Sequence, residues 1–155
     1  FEKVTIVTQN IDNLHRRAGS DNIFELHGNI ERNFFFFFKT FYNEELDFSN
    51  GVPKCKCGGL IRPDVVWFGE YLPEDQFEGG EQSAINSDMF FVVGTSAVVY
   101  PAAGLVHAAK RAGSFIVEVN IEQTEVSSIC NASFFGEAGK ILPEMFMELK
   151  KIKKL

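Results

Sequence analysis

The chain has 155 residues, is 45% hydrophobic and 23% charged, and carries a net charge of -6 with a pI of about 5.1. That is enough chain for a real core, and the acidic balance excludes a general nucleic-acid backbone binder, which needs a basic face. No stretch reaches the about 18 apolar residues of a membrane span, no signal peptide is visible, and three cysteines are too few for a disulfide framework. The chain opens on "FEKVTIVTQN" with no initiator Met, so it is expected to be truncated at its N-terminus. The expected location is cytoplasmic, with targeting signals outside what the sequence can show.

In chain order, "VTIVTQ" reads as a buried strand. In "NIDNLHRRAG", Asp12 can cap a helix and Gly19 can end it. "IFELHG" is a second short strand. From Asn29 to Pro63 the pattern breaks into loops, small strands and the close pair Cys55 and Cys57, which reads as a metal or redox site before a bridge. "VVWFGEYLP" reads as extended, and "PEDQFEGGEQSAINSD" as a weak helix or loop, with Gly79 and Gly80 in its middle. "MFFVVGTS" is a buried strand ending in a small-residue turn. "YPAAGLVHAAKRAG" is a helix, with Pro101 suited to its first turn, Gly113 to its C-terminal cap, and Leu105, Ala109 and Ala112 on its apolar face. "SFIVEVN" and "ASFFG" are strands. "LPEMFMELKKIKKL" closes as an amphipathic helix with Leu142, Met145, Phe146 and Leu149 on one face, and its basic end reads as a solvated last turn. Strands alternating with helices predict an α/β fold: a Rossmann-like parallel sheet with helices on both faces. A small irregular insert covers residues 29–63, between parts 1–28 and 64–155.

In such sheets ligands sit at the carboxyl ends of strands. Three predicted strands end in polar or small residues: Gln9, Asn10 and Asp12; Gly94, Thr95 and Ser96; Asn120 and Glu122. Singly each fits an ordinary loop, and together they favour a nucleotide site. No "GxGxxG" or P-loop is present. His27 ends a strand beside Gly28, where the insert begins. Histidine titrates near neutrality, so a residue placed there suits a general base. His107 shares a helix face with Lys110 and Arg111 and reads as solvated, and Cys130 reads as a buried thiol. "RPDVVWFGE" is the most specific string, either a core strand or an edge that pairs with an extended peptide. A structural zinc site wants two ligand pairs, and one pair is visible.

The strings "TQNIDNLHRRAG", "LHG", "CGGLIRPDVVWFGE" and "VVGTSAVVYPAAG" and the Asn-x-Glu turn resemble the sirtuin family of NAD-dependent protein deacylases, in the family's order and approximate spacing. The resemblance covers nearly the whole chain outside residues 29–54. "VVYPAAG" looks most like the bacterial and mitochondrial-type branch. The resemblance implies that Gln9, Asn10, Ile11 and Asp12 line the nicotinamide and ribose pocket. Gly94, Thr95, Ser96, Asn120, Ile121, Glu122 and Ala138 would contact NAD. His27 would be the catalytic base. Val66, Trp67, Phe68, Gly69 and Glu70 would form a wall of the acyl-lysine channel. The acyl group of a protein or peptide lysine would pass to ADP-ribose, with release of nicotinamide.

Two departures stand out. The family's opening Gly-rich segment is missing, so this chain alone is expected to be inactive. The family's first zinc cysteines fall eight and eleven residues past the histidine, and counting from His27 gives Phe35 and Phe38, inside the run Phe34 to Phe38. Cys55 and Cys57 would then be half a zinc site. The run either packs as a hydrophobic substitute for the metal or, the favoured reading, is a degenerate or wrongly read tract where the parent protein has cysteines. The leading function is a deacylase catalytic core. The alternative is a non-catalytic sirtuin-like remnant that binds nucleotide or peptide. A zinc-ribbon nucleic-acid binder is disfavoured by the acidic charge.

Overall fold

The computed structural model describes residues 2–35, 40–42, 46, 49, 51–55 and 58–153. They fall into two compact units, Phe1–Gly80 and Glu81–Leu155.

In the first unit, β1 (Ile6–Thr8) pairs in parallel with β2 (Ile23–Glu25), with Ile6 opposite Ile23 and Thr8 opposite Glu25. The short helix α1 (Leu14–Arg17) joins them. The N-cap position of α1 is Asn13, at φ +60°, and not Asp12 as the sequence suggests; Asp12, one residue earlier, accepts from the Leu14 N–H at 3.0 Å, and Gly19, at φ +87°, follows the helix end as expected. The insert is more regular than expected. β3 (Gly28–Phe35), β4 (Thr40–Tyr42) and β5 (Ile61–Val65) form an antiparallel sheet in the order β4-β3-β5, with a register shift between Asn29 and Asn33. The architecture is therefore mixed, with parallel and antiparallel sheets, where a single parallel sheet was expected. The extended segment also lies upstream of the predicted "VVWFGEYLP". Its strand is "IRPDV", and residues 66–70 leave it as a turn. Pro63 is tolerated inside β5 because β5 is an edge strand, where one missing N–H costs no ladder bond.

The helix α2 (Glu74–Ile85) is a full twelve residues. Its two glycines lowered the sequence expectation, yet they are packing positions. A Cβ on Gly79 would stand 2.1 Å from the Phe24 ring, and one on Gly80 would stand 3.2 Å from Val7.

In the second unit, β6 (Met89–Val93), β7 (Phe115–Asn120) and β8 (Ala132–Phe135) form a parallel sheet in the order β6-β7-β8. Two helices flank it, α3 (Gly104–Ala112) and α4 (Ala138–Lys153), giving a Rossmann-like unit. Ile116, Val117 and Val119 on the central β7 are buried, with Leu105 and Ala109 of α3.

Several predicted placements change. β6 is buried at Val92 but exposed at Met89, Phe91 and Val93, which alternate onto the same face of the strand. Pro101 precedes α3, in a turn closed by the Gly104 N–H on the Pro101 carbonyl. Ala112 is exposed, and Val106 and Ala108 bury instead. His107 is half-buried. On α4, Leu142 and Met145 are half-buried, while Phe146 and Leu149 are exposed and the Lys150 Nζ sits 4.8 Å from the Phe146 ring centre. Cys130 is half-buried, and burial pushes its thiol pKa up. No helix among the described residues is long and apolar enough to cross a membrane.

Candidate functional site

In the first unit the site is built where β1 and β2 end. The Leu26 N–H still bonds the Thr8 carbonyl at 2.9 Å, and then the chain turns. Gly28 sits at φ +78°, and a Cβ there would come 2.1 Å from the Asp64 carbonyl oxygen, so only glycine fits beside β5. This turn fixes His27. Its carbonyl accepts from the Val66 N–H at 3.0 Å, and its Nδ1 lies 3.0 Å from the Gln9 carbonyl oxygen. A carbonyl oxygen can only accept, so in the neutral ring Nδ1 carries the hydrogen and Nε2 the lone pair. His27 is half-buried.

The neighbouring predicted residues form a polar loop. The Asn10 N–H bonds Thr8 Oγ1 at 3.0 Å, the Ile11 carbonyl accepts from Ile30 at 2.8 Å, and Asp12 holds the start of α1. Asn10 and Asp12 are exposed, while Gln9 and Ile11 are half-buried.

Beneath this loop lies a charged network that the sequence reading did not single out. Glu25 is buried and accepts from Arg16 at 3.1 and 3.3 Å, from Arg32 at 2.5 Å and from the Asn29 amide at 2.8 Å. Arg32 also reaches Asp64 at 2.8 and 3.0 Å. Burial pushes the Glu25 carboxyl up, but the hydrogen bonds from Arg16, Asn29 and Arg32 outweigh it and hold the group below the usual carboxylate range. The available signal was a glutamate inside the apolar run "IFELHG", since a buried charge needs a partner.

The turn after β5 brings Val66, Trp67, Phe68, Gly69 and Glu70 together. Glu70 Oε2 accepts from the Trp67 N–H at 3.0 Å, and the Glu70 N–H returns to the Trp67 carbonyl at 2.9 Å. Trp67 and Phe68 are exposed.

In the second unit the carboxyl ends of β6 and β7 are stitched together. The Gly94 N–H bonds the Val119 carbonyl at 3.0 Å, and the Asn120 amide donates to the Thr95 carbonyl at 2.8 Å. Asn120 Oδ1 accepts from the Ile121 N–H at 2.9 Å, so this buried side chain holds the loops' backbones. Gly94 stands at φ +59° with open space where a Cβ would be, and the Thr95 and Ser96 hydroxyl groups follow it. Ile121 and Glu122 are exposed, and Ala138 is the first residue of α4. A bare glycine, hydroxyl groups and a strand-end loop fit a ribose- and phosphate-bearing ligand such as NAD.

Among the described residues, none of those proposed for zinc offers a free donor set. Phe35 offers no donor atom and lies in β3, opposite Thr40 and Ile61. Cys55 is disulfide-bonded, a correction to the reading that put a metal ligand before a bridge. Phe38 and Cys57 lie outside the described residues. Among the described residues no group of three or more His, Cys, Asp or Glu could hold a metal ion.

Residues 1–101 match the model of the family described as "Sir2 family". The chain belongs to the Sir2 family. It is 44% identical over 158 residues to the "NAD-dependent protein deacylase" of Pyrococcus furiosus, covering 96% of this chain and 62% of that protein. It is 41% identical to the protein of that name from Aquifex aeolicus, covering 97% of this chain and 64% of the relative. The solved structure described as "Sir2 bound to acetylated peptide" superposes with a TM-score of 0.88 at 35% identity, covering 94% of this chain and 63% of that one. The one described as "Sir2-p53 peptide-NAD+" superposes with a TM-score of 0.86 at 35% identity, covering 94% and 62%. The chain thus spans about three fifths of the length of these Sir2 relatives.

Proposed function

We propose that this chain is the core of an NAD-dependent protein-lysine deacylase with His27 as the general base. The observation that carries the reading is the hydrogen bond between His27 Nδ1 and the Gln9 carbonyl, which leaves the Nε2 lone pair to take a proton. The Sir2 relatives named as NAD-dependent deacylases support the reaction type.

When bound, NAD supplies the ribose carbon that accepts the acyl oxygen as nicotinamide leaves. The chain's part is to bind, orient and move one proton. His27 takes that proton from a ribose hydroxyl at Nε2. Gln9, Asn10, Ile11 and Asp12 bound the nicotinamide and ribose side. Gly94, Thr95, Ser96, Ile121, Glu122 and Ala138 take the rest of the dinucleotide, with Asn120 holding their loops. Val66, Trp67, Phe68, Gly69 and Glu70 take the acyl-lysine segment along an extended path. In this reading residues 29–63 are a small insert between the two parts of the nucleotide-binding domain, 1–28 and 64–155. The segment "VVYPAAG" supports the bacterial and mitochondrial-type branch.

In the full-length protein, His27→Ala should lower NAD-dependent deacylation of an acetyl-lysine peptide by about 10²–10⁴-fold with an unchanged circular dichroism spectrum. Turnover within a few-fold of wild type would remove His27 from the mechanism.

A further inference from the structure

We infer that Arg62 is a positioning residue for the acyl-lysine segment, acting through Glu70 to fix the turn that presents Trp67 and Phe68. The inference rests on the peptide-wall role proposed above, and it adds a residue that this role did not include.

The geometry is a clamp. Arg62 leaves β5 and donates to both carboxylate oxygens of Glu70, Nη1 to Oε1 at 2.6 Å and Nη2 to Oε2 at 2.7 Å. The same Nη2 donates to the Val65 carbonyl at 2.5 Å, which ties the guanidinium to the strand end. Glu70 then takes the Trp67 N–H at 3.0 Å and returns its own N–H to the Trp67 carbonyl at 2.9 Å. Gly69, at φ +89°, lets the chain reverse between them. The turn is thus held by polar groups from β5 outward.

Little else holds it. Phe68 and Tyr71 are fully exposed and Trp67 is 59% exposed, so burial of its own side chains contributes little to its conformation. An exposed ion pair by itself adds little to global stability. This one differs because a backbone N–H and a backbone carbonyl complete it, so its effect is local order. The chemistry also requires these residue types. Glu70 accepts from three N–H groups, which a carboxylate can do and an amide cannot. Only a guanidinium presents the parallel fork. The fork and the Trp67 N–H hold the Glu70 carboxyl at about 2, so the clamp stays charged. Asp64, on the same strand, further favours the charged guanidinium.

A turn held ready before the ligand arrives binds without first being ordered. The test uses the full-length protein with Arg62→Ala and Arg62→Lys, an acetyl-lysine peptide and NAD. Trp67 is the only tryptophan of these 155 residues, and in a full-length protein whose other tryptophans, where present, are changed to phenylalanine, its emission and acrylamide quenching report on this turn directly. For Arg62→Ala the expected results are a peptide KM raised by about tenfold, an NAD KM within about twofold, an unchanged melting temperature and faster quenching of Trp67. Arg62→Lys should recover less than half of the peptide KM effect, because an ammonium cannot form the fork. The double variant Arg62→Glu with Glu70→Arg should not restore the KM, since arginine cannot accept from the Trp67 N–H. Unchanged Trp67 quenching would overturn the clamp and leave the proposed function standing. Faster quenching with an unchanged peptide KM would overturn both the inference and the peptide-wall role. Equal rises in both KM values with a lowered melting temperature would reduce Arg62 to a general structural residue and overturn the inference.

Discussion

Glu25 in the first unit and Glu118 in the second are both buried carboxylates on parallel strands, and they are held by opposite means. Glu25 lies between two guanidinium groups, from Arg16 on α1 and Arg32 on β3, and Arg32 extends the network to Asp64 on β5. Glu118 meets hydroxyl groups: Ser127 at 2.6 Å, Ser133 at 2.9 Å, and Thr124. Among the described residues no cation pairs with it. The charged arrangement ties together segments far apart in sequence, because long arginine side chains can reach inward from the surface. The hydroxyl arrangement is local, stapling the loop after β7 to β8, and it depends on the path of that loop. Each sits just behind a strand end of its own unit, Glu25 two residues before His27 and Glu118 two before Asn120. The strand ends of the two units therefore rest on supports of different chemistry, and they should fail differently.

The largest effect should follow from breaking the charged support. Glu25→Ala would leave Arg16 and Arg32 facing a buried space without a carboxylate and would free the Asn29 amide. Loss of one partner of a fully buried pair costs roughly 3–5 kcal/mol. The Arg16 and Arg32 side chains are 42% and 34% exposed, so water takes up part of the cost and about 2–4 kcal/mol is expected. Urea denaturation followed by Trp67 emission measures it. A loss under about 0.5 kcal/mol would show that this network does not hold the unit.

Glu118→Gln should cost less, about 1–2 kcal/mol, because the hydroxyl groups can rotate to suit an amide of the same size. The variant also tests the acid response. Burial pushes the Glu118 carboxyl up, but the bonds from Ser127, Thr124 and Ser133 outweigh it and hold the group below its ordinary 4.5. A depressed folded-state value means stability that is fully present above 4.5 and lost as pH falls through the folded value. Glutamine does not titrate, so the variant should lose less stability than wild type as pH falls below 4.5, a slope smaller by up to about 1.4 kcal/mol per pH unit. Equal acid slopes in the two proteins would remove Glu118 from the acid response.

Much of this architecture was legible in the sequence, and the parts that were not have identifiable reasons. The strands β1, β2, β6 and β7 announce themselves as apolar runs, and their polar ends mark where His27, Thr95 and Asn120 sit. β3 is hidden because "GNIERNFF" carries charges on both faces, and Arg32 reaches partners outside its own strand, Glu25 and Asp64. β5 is hidden by its proline, while the neighbouring "VVWF" imitates a strand that the clamp from Arg62 bends into a turn. α2 is hidden because Gly79 and Gly80 read as breakers when they are contact points for Phe24 and Val7. Each miss is a place where a distant partner outweighs local propensity. Arg62 shares this cause, because nothing local to "IRPDV" shows that its partner is Glu70.

The smallest effect is the one that separates the two supports without a mutation. Raising NaCl from 0.1 to 1 M shortens the screening length from about 10 Å to about 3 Å. The contacts of Glu25 with Arg16 and Arg32 span 2.5 to 3.3 Å, comparable with the shorter length, and the guanidinium groups reach solvent. Screening should therefore weaken that network by only a few tenths of a kcal/mol. Glu118 has no cationic partner among the described residues to screen. Salt also alters hydrophobic burial, but that acts on both units. The useful quantity is thus the difference between them. Hydrogen exchange of peptides covering Ile23–Glu25 and Phe115–Asn120 reads it within one sample, and exchange should speed up at high salt for β2 relative to β7. Equal shifts in the two strands would mean that the arginines contribute hydrogen-bond geometry alone, and that charge adds nothing to the support beneath His27.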